Sequence, residues 1–172
     1  KLTGLHPIAM HCKNTIRKPF EGLPHARYDL LPMGKYRAHN WHCLDDLDRR
    51  SPYAVLYTSL NCPFSCSYCN VHTLYGNRQV QYRKMHSIFS DIYQFVNMWN
   101  VRNIKIWDEL FTLDSGRVET ICDYIISEGF DLNIWAYARV DTVNEKMLVK
   151  MKKAGINWLC YGFESADKSV RK

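Results

Sequence analysis

From Tyr53 onward the hydrophobic pattern switches between two periods. Tyr53-Ala54-Val55-Leu56-Tyr57-Thr58-Ser59-Leu60 is an apolar run that predicts a buried strand, ended by a loop containing Pro63. A helix starting near Ser87 follows, with Ile88, Ile92, Phe95, Val96 and Trp99 on one face. Ile104-Lys105-Ile106-Trp107 predicts a second strand, and Val118, Ile121, Cys122, Ile125 and Ile126 a second helix, with Asp114 as its N-cap and Gly129 as its stop. Leu132 to Tyr137 reads as a third strand. Thr142 with Glu145 three residues on resembles a capping box opening a third helix, whose apolar face is Val143, Met147, Leu148 and Met151. Gly155 ends that helix, and Ile156 to Gly162 is a fourth strand.

The order β-α-β-α-β-α-β calls for an α/β fold with a parallel sheet and right-handed crossovers. Four such units do not close a barrel of eight, so the expectation is a partial (β/α) barrel, truncated after about four βα units. Residues 1–50 carry four of the six prolines and five of the seven histidines, with little periodicity. They predict an irregular N-terminal linker, leaving residues 51–172 as the N-terminal part of the core domain. The chain lacks an initiating Met and stops in what reads as a first helical turn, so it is expected to be a piece of something longer.

Composition narrows the class. Hydrophobic residues make up 47% and charged ones 23%, an ordinary globular balance. No apolar run approaches the roughly 18 residues of a membrane span, and no export signal opens the chain. Seven cysteines, an odd number in a chain without an export signal, favour reduced thiols and a cytoplasmic setting over a disulfide scaffold. The net charge of +6 permits an anionic partner without requiring one, and nothing else in the pattern calls for nucleic acid.

The chemistry concentrates in Asn61-Cys62-Pro63-Phe64-Ser65-Cys66-Ser67-Tyr68-Cys69-Asn70. Three soft thiolates at Cys-x3-Cys-x2-Cys suit an iron–sulfur cluster or zinc. Wrapped around a cluster they would serve three irons and leave one open to a small molecule. A structural zinc site needs a fourth ligand, which His72 or Cys43 could supply in a non-catalytic binding module. The strand-end rule of βα barrels adds Asp108-Glu109, Ala138-Arg139 and Glu164-Ser165 on the same rim.

The cysteine spacing, with an aromatic residue just before the last cysteine and a strand before the loop, resembles the signature of the radical S-adenosylmethionine (SAM) superfamily. That resemblance implies a 4Fe-4S cluster on Cys62, Cys66 and Cys69, with SAM on the open iron. It further implies cleavage of SAM to a 5′-deoxyadenosyl radical that abstracts a substrate hydrogen. Tyr68 would lie beside the adenine and Glu109 would hold the methionine amino group. Arg139 would pair with the SAM carboxylate and Glu164 would bind the ribose hydroxyls. The family's Gly-Gly-Glu is here Trp107-Asp108-Glu109, so only Glu109 matches. The stretches 29–42, 135–141 and 161–165 resemble the cobalamin-binding members, which implies cobalamin through an upstream domain of a longer parent. Partners implied are a small-molecule substrate and an electron donor such as flavodoxin or ferredoxin. No residue is assigned a direct catalytic role. The pair His39 and His42 reads as structural, and Cys122 and Cys160 read as core thiols.

Overall fold

A computed structural model describes residue 20, residues 25–167 and residue 169. The expectations for the first part of the arm and for Cys12 lie outside these residues. In chain order the elements are β1 (Tyr53–Leu56), β2 (Ser59–Leu60), α1 (Val71–Tyr75), β3 (Gln81–Tyr82), α2 (Met85–Trp99), β4 (Asn103–Ile106), α3 (Ser115–Ser127), β5 (Asn133–Ala138), α4 (Glu145–Lys153) and β6 (Ile156–Tyr161). The strands β1, β4, β5 and β6 form one parallel sheet in that spatial order. The parallel α/β expectation therefore holds.

Side-chain alternation along the strands divides the sheet into two unlike faces. Ala54, Leu56, Ile104, Ile106, Ile134 and Ala136 enter one core with Ile88, Ile92 and Phe95 of α2, Val118, Ile121 and Ile125 of α3, and Met147 and Met151 of α4. All three long helices thus cover a single face. Fully burying each of the Leu, Ile, Val, Phe and Met side chains among them contributes about 1.5–3 kcal/mol. The odd-numbered residues, Tyr53, Val55, Lys105, Trp135 and Tyr137, point the other way.

The single run predicted from Tyr53 to Leu60 is two strands. Thr58 gives both its N–H and its hydroxyl to the Asp108 carboxylate. This turns the chain off the parallel sheet, and Ser59–Leu60 pairs antiparallel with β3 instead. The helix cap at 142 also differs. Asn144 caps α4 by accepting from Met147 N–H at 3.0 Å, while the Thr142 hydroxyl bonds back to Arg139. Asp114 caps α3 as expected, through Arg117 N–H at 3.1 Å.

Residues 25–50 pack against the sheet. They form short 3-10 turns that bury Met33, Ala38, His42 and Cys43. At the N-terminal end of the sheet, Asn133 donates to the His42 carbonyl at 2.7 Å and His42 Nε2 bonds the Asn133 carbonyl at 2.8 Å. The Cys43 thiol donates to Asn103 Oδ1 at 3.2 Å, and Asn103 Nδ2 donates to the Arg49 carbonyl at 2.6 Å. The arm closes the sheet from below.

Gly129 and Gly155 both follow helices with positive φ, at 65° and 81°. A Cβ at Gly129 would meet nothing, whereas one at Gly155 would collide with the Leu132 carbonyl. Gly129→Ala should therefore cost about 1 kcal/mol, the left-handed penalty alone. Gly155→Ala should cost clearly more, because backbone must also move. Urea unfolding of the two variants checks this, with equal losses counting against it.

Candidate functional site

The cysteine loop springs from Asn61, a buried residue with φ of 75°. Its side-chain oxygen accepts from Cys62 N–H at 2.8 Å, and its amide donates to the carbonyls of Asn77 at 2.8 Å and Gln79 at 3.1 Å. Asn61 N–H in turn donates to Glu109 Oε2 at 2.8 Å, and the Tyr75 hydroxyl donates to Glu109 Oε1 at 2.7 Å. Burial, then the bond to Glu109, pushes the Tyr75 phenol well above its usual range. The base of the loop is thus bound to the end of β4. Asn61 was missed from sequence, although Asn before a cysteine loop is one of the few residues that tolerates positive φ.

Cys62 and Cys66 are half-buried and Cys69 is exposed, all as free thiols. Burial pushes the Cys62 thiol up, a hydrogen bond at Phe64 pulls it partly back, and the Cys66 and Cys69 sulfurs add to the rise. The Cys66 and Cys69 sulfurs therefore both lie within electrostatic reach of Cys62. Among the described residues, no group of three or more His, Cys, Asp and Glu is gathered as a metal site. The donor set itself, three soft thiols on one loop, fits an iron–sulfur cluster.

Other predicted residues converge on this loop. Arg139 Nη1 donates to Cys66 Sγ at 3.6 Å, and its guanidinium lies 3.9 Å from the Phe64 ring centroid. Its Nε and Nη2 grip Asp141 at 2.9 and 2.8 Å. Tyr68 is exposed, and its phenol is raised first by desolvation, then by Cys66, with a smaller contribution from Glu164. Glu164 is exposed in the segment after β6. Cys66, Tyr68, Arg139 and Glu164 thus share one neighbourhood, with Glu109 at its base.

The two proposed zinc partners are bonded to other groups. His72 directs Nε2 at the Phe64 carbonyl, 2.6 Å away, and Nδ1 at the Asn77 carbonyl, 3.3 Å away. Cys43 sits against the first residue of β4, at the opposite end of the sheet from the loop. Cys122 is a core thiol as expected, but Cys160 is only half-buried. It lines a cavity of about 460 Å³ with Trp41, Trp135 and Trp158.

Asp108 is buried and accepts from Thr58 N–H at 2.6 Å, from the Thr58 hydroxyl and from the Ser59 hydroxyl at 2.7 Å. Burial pushes its carboxyl up, against the pull of these bonds. Its place is structural, holding β2 to the end of β4.

On the helix-free face, Lys105 stands between Val55 and Trp135 in register and is 7% exposed. Its ammonium lies 3.9 Å from the Trp107 ring centroid, 4.2 Å from Trp135 and 5.0 Å from Tyr137. Each such contact contributes about 0.5–2 kcal/mol, whereas removing an ammonium from water costs on the order of several kcal/mol. The rings offset part of that cost or, at the upper end, most of it. The charge also reaches His42, whose pKa is lowered mainly by burial and further by Lys105, against its bond to the Asn133 carbonyl.

No protein-family model matches the chain. Over 148 residues it is 31% identical to an uncharacterized methyltransferase of Pyrococcus horikoshii, covering 86% of this chain and 30% of that protein. The chain thus spans under a third of that relative's length. It also superposes on a radical S-adenosylmethionine methyltransferase, TsrM from Kitasatospora setae, solved with cobalamin and a 4Fe-4S cluster bound. The TM-score is 0.62 at 16% identity, over 70% of this chain and 22% of the other. The two share their fold.

Two outcomes follow from the loop and its anchors. Asn61→Gly keeps the positive φ but removes the side-chain bonds. It should speed amide exchange across residues 62–79 and cost about 1–3 kcal/mol in urea; unchanged exchange would show that the bonds do not hold the loop. Because the Asp108 carboxyl is raised in the fold, its contribution to stability is full below the ordinary carboxylate pKa. That contribution is lost as pH rises through the folded value. The stability of Asp108→Asn relative to wild type should therefore increase with pH from acid to neutral, and a flat or falling difference would contradict the sign.

Proposed function

We propose that this chain is the cluster- and SAM-binding part of a radical SAM enzyme. The observation that carries this reading is the anchored loop, which sets three free thiols beside the strand ends of a parallel sheet of the same fold as TsrM. Cys62, Cys66 and Cys69 would hold the cluster and leave one iron for SAM. When bound, that pair supplies a 5′-deoxyadenosyl radical able to take a hydrogen atom from a substrate.

The chain's own residues do the binding and orienting. Glu109 has one protein donor on each oxygen and retains lone pairs for an ammonium such as the SAM amino group. Arg139 has committed Nε and Nη2 to Asp141, so Nη1, already turned to Cys66, is the edge that would meet the SAM carboxylate. Tyr68 is open for stacking and Glu164 for hydroxyl contacts. Methyl transfer with cobalamin, a flavodoxin or ferredoxin donor, and a small-molecule substrate belong to the same proposal for a longer parent. Among the described residues no helix is long and apolar enough to cross a membrane.

Oxygen-free reconstitution with iron and sulfide should yield a brown protein with iron and sulfide in equal amounts. Ala at Cys62, Cys66 or Cys69 should each abolish the colour, while Ala at Cys43, Cys122 or Cys160 should leave it. SAM should alter the paramagnetic spectrum of the reduced protein. A cluster surviving in the triple variant, or stoichiometric zinc without sulfide, would overturn the reading.

A further inference from the structure

We infer that the helix-free face of the sheet is a binding site for a small organic carboxylate, its charge met by Lys105 and its flat apolar body lying along Trp107, Trp135 and Tyr137. As a statement of substrate class, this rests on the radical SAM reading above.

Lys105 is more than nine-tenths buried, and none of the described residues forms an ion pair or hydrogen bond with its ammonium. The acids nearest in sequence are committed elsewhere, Asp108 to Thr58 and Ser59 and Glu109 to Asn61 and Tyr75. The ammonium is nevertheless not sealed. Among buried side-chain nitrogens and oxygens of the described residues, His42 Nδ1 alone lacks both a partner and solvent. A buried cation that still touches solvent and has no counter-charge among the described residues favours an incoming anion. Its walls restrict the rest of the ligand. Three aromatic rings surround the charge, and Trp107 is 43% exposed, so its ring is open for contact. A cationic ligand would be repelled, and a fully hydrated inorganic ion would gain nothing from the rings.

Position supports the assignment. Lys105 lies two residues below Trp107 on the same side of the strand, roughly 7 Å deeper. The end of that strand carries Glu109, which anchors the cysteine loop. A carboxylate seated on Lys105 would direct the far end of its ligand toward the rim where the thiols lie.

Benzoate and its neutral isostere benzamide are suitable probes, read by quenching of tryptophan fluorescence in the full chain. Benzoate should quench saturably and bind roughly tenfold or more tighter than benzamide, the order expected of one charge-assisted contact. Lys105→Met should abolish that difference, and Lys105→Arg should restore part of it. Equal binding of the two probes to wild type would overturn the proposal without any variant. Displacement of benzoate by SAM would overturn it too, by giving the ammonium to the cofactor. The same titration on the triple cysteine variant separates the two readings: benzoate preference should persist there. Failure to load iron would then count against the cluster alone, and loss of preference with the cluster intact would count against this site alone.

Discussion

The two acids that follow β4 hold the cysteine-loop end of this molecule together. Asp108 takes Thr58 and Ser59, and Glu109 takes Asn61 and Tyr75. Between them they bind the segment that leaves β1 to the end of the neighbouring strand. A loop carrying three cysteines is otherwise an exposed stretch with few apolar contacts, and such stretches open at little cost. Tying its first residue to a carboxylate in the turn just beyond β4 limits where the thiols can go.

Asp108 illustrates the balance involved. Burying a carboxylate is expensive, and the donors around it repay only part of that cost, which is why its carboxyl is shifted up. The arrangement persists because the same bonds end β1 and redirect the chain into the small antiparallel pair. Glu109 stands one residue further on, half-buried, with one protein donor on each oxygen. Adjacent acids thus each hold a backbone N–H, Asp108 that of Thr58 and Glu109 that of Asn61.

The sheet separates stability from recognition by the same alternation. One face meets three helices and is entirely apolar at its centre. The other carries Lys105, its aromatic ring set and the polar ladder of Asn103 and Asn133 under the arm. A charge on the first face would have no means of support. On the second, rings and an opening make it tolerable.

Much of this was legible in the chain itself. Period-2 and period-3.6 patterns located the helices and parallel strands, the Asp114 cap and the two glycine stops, because each reflects chemistry within a few residues. The cysteine trio and the charged strand ends were equally local signals. What only the tertiary structure decided depends on partners distant in sequence. Thr58 breaks the first strand because Asp108, fifty residues later, takes its donors. Asn61 anchors the loop through Glu109, Cys160 lines a cavity rather than the core, and residues 25–50 pack because Asn103 and Asn133 receive them. Sequence patterns report which face a residue prefers; which acceptor meets which donor is settled only when the strands are brought side by side.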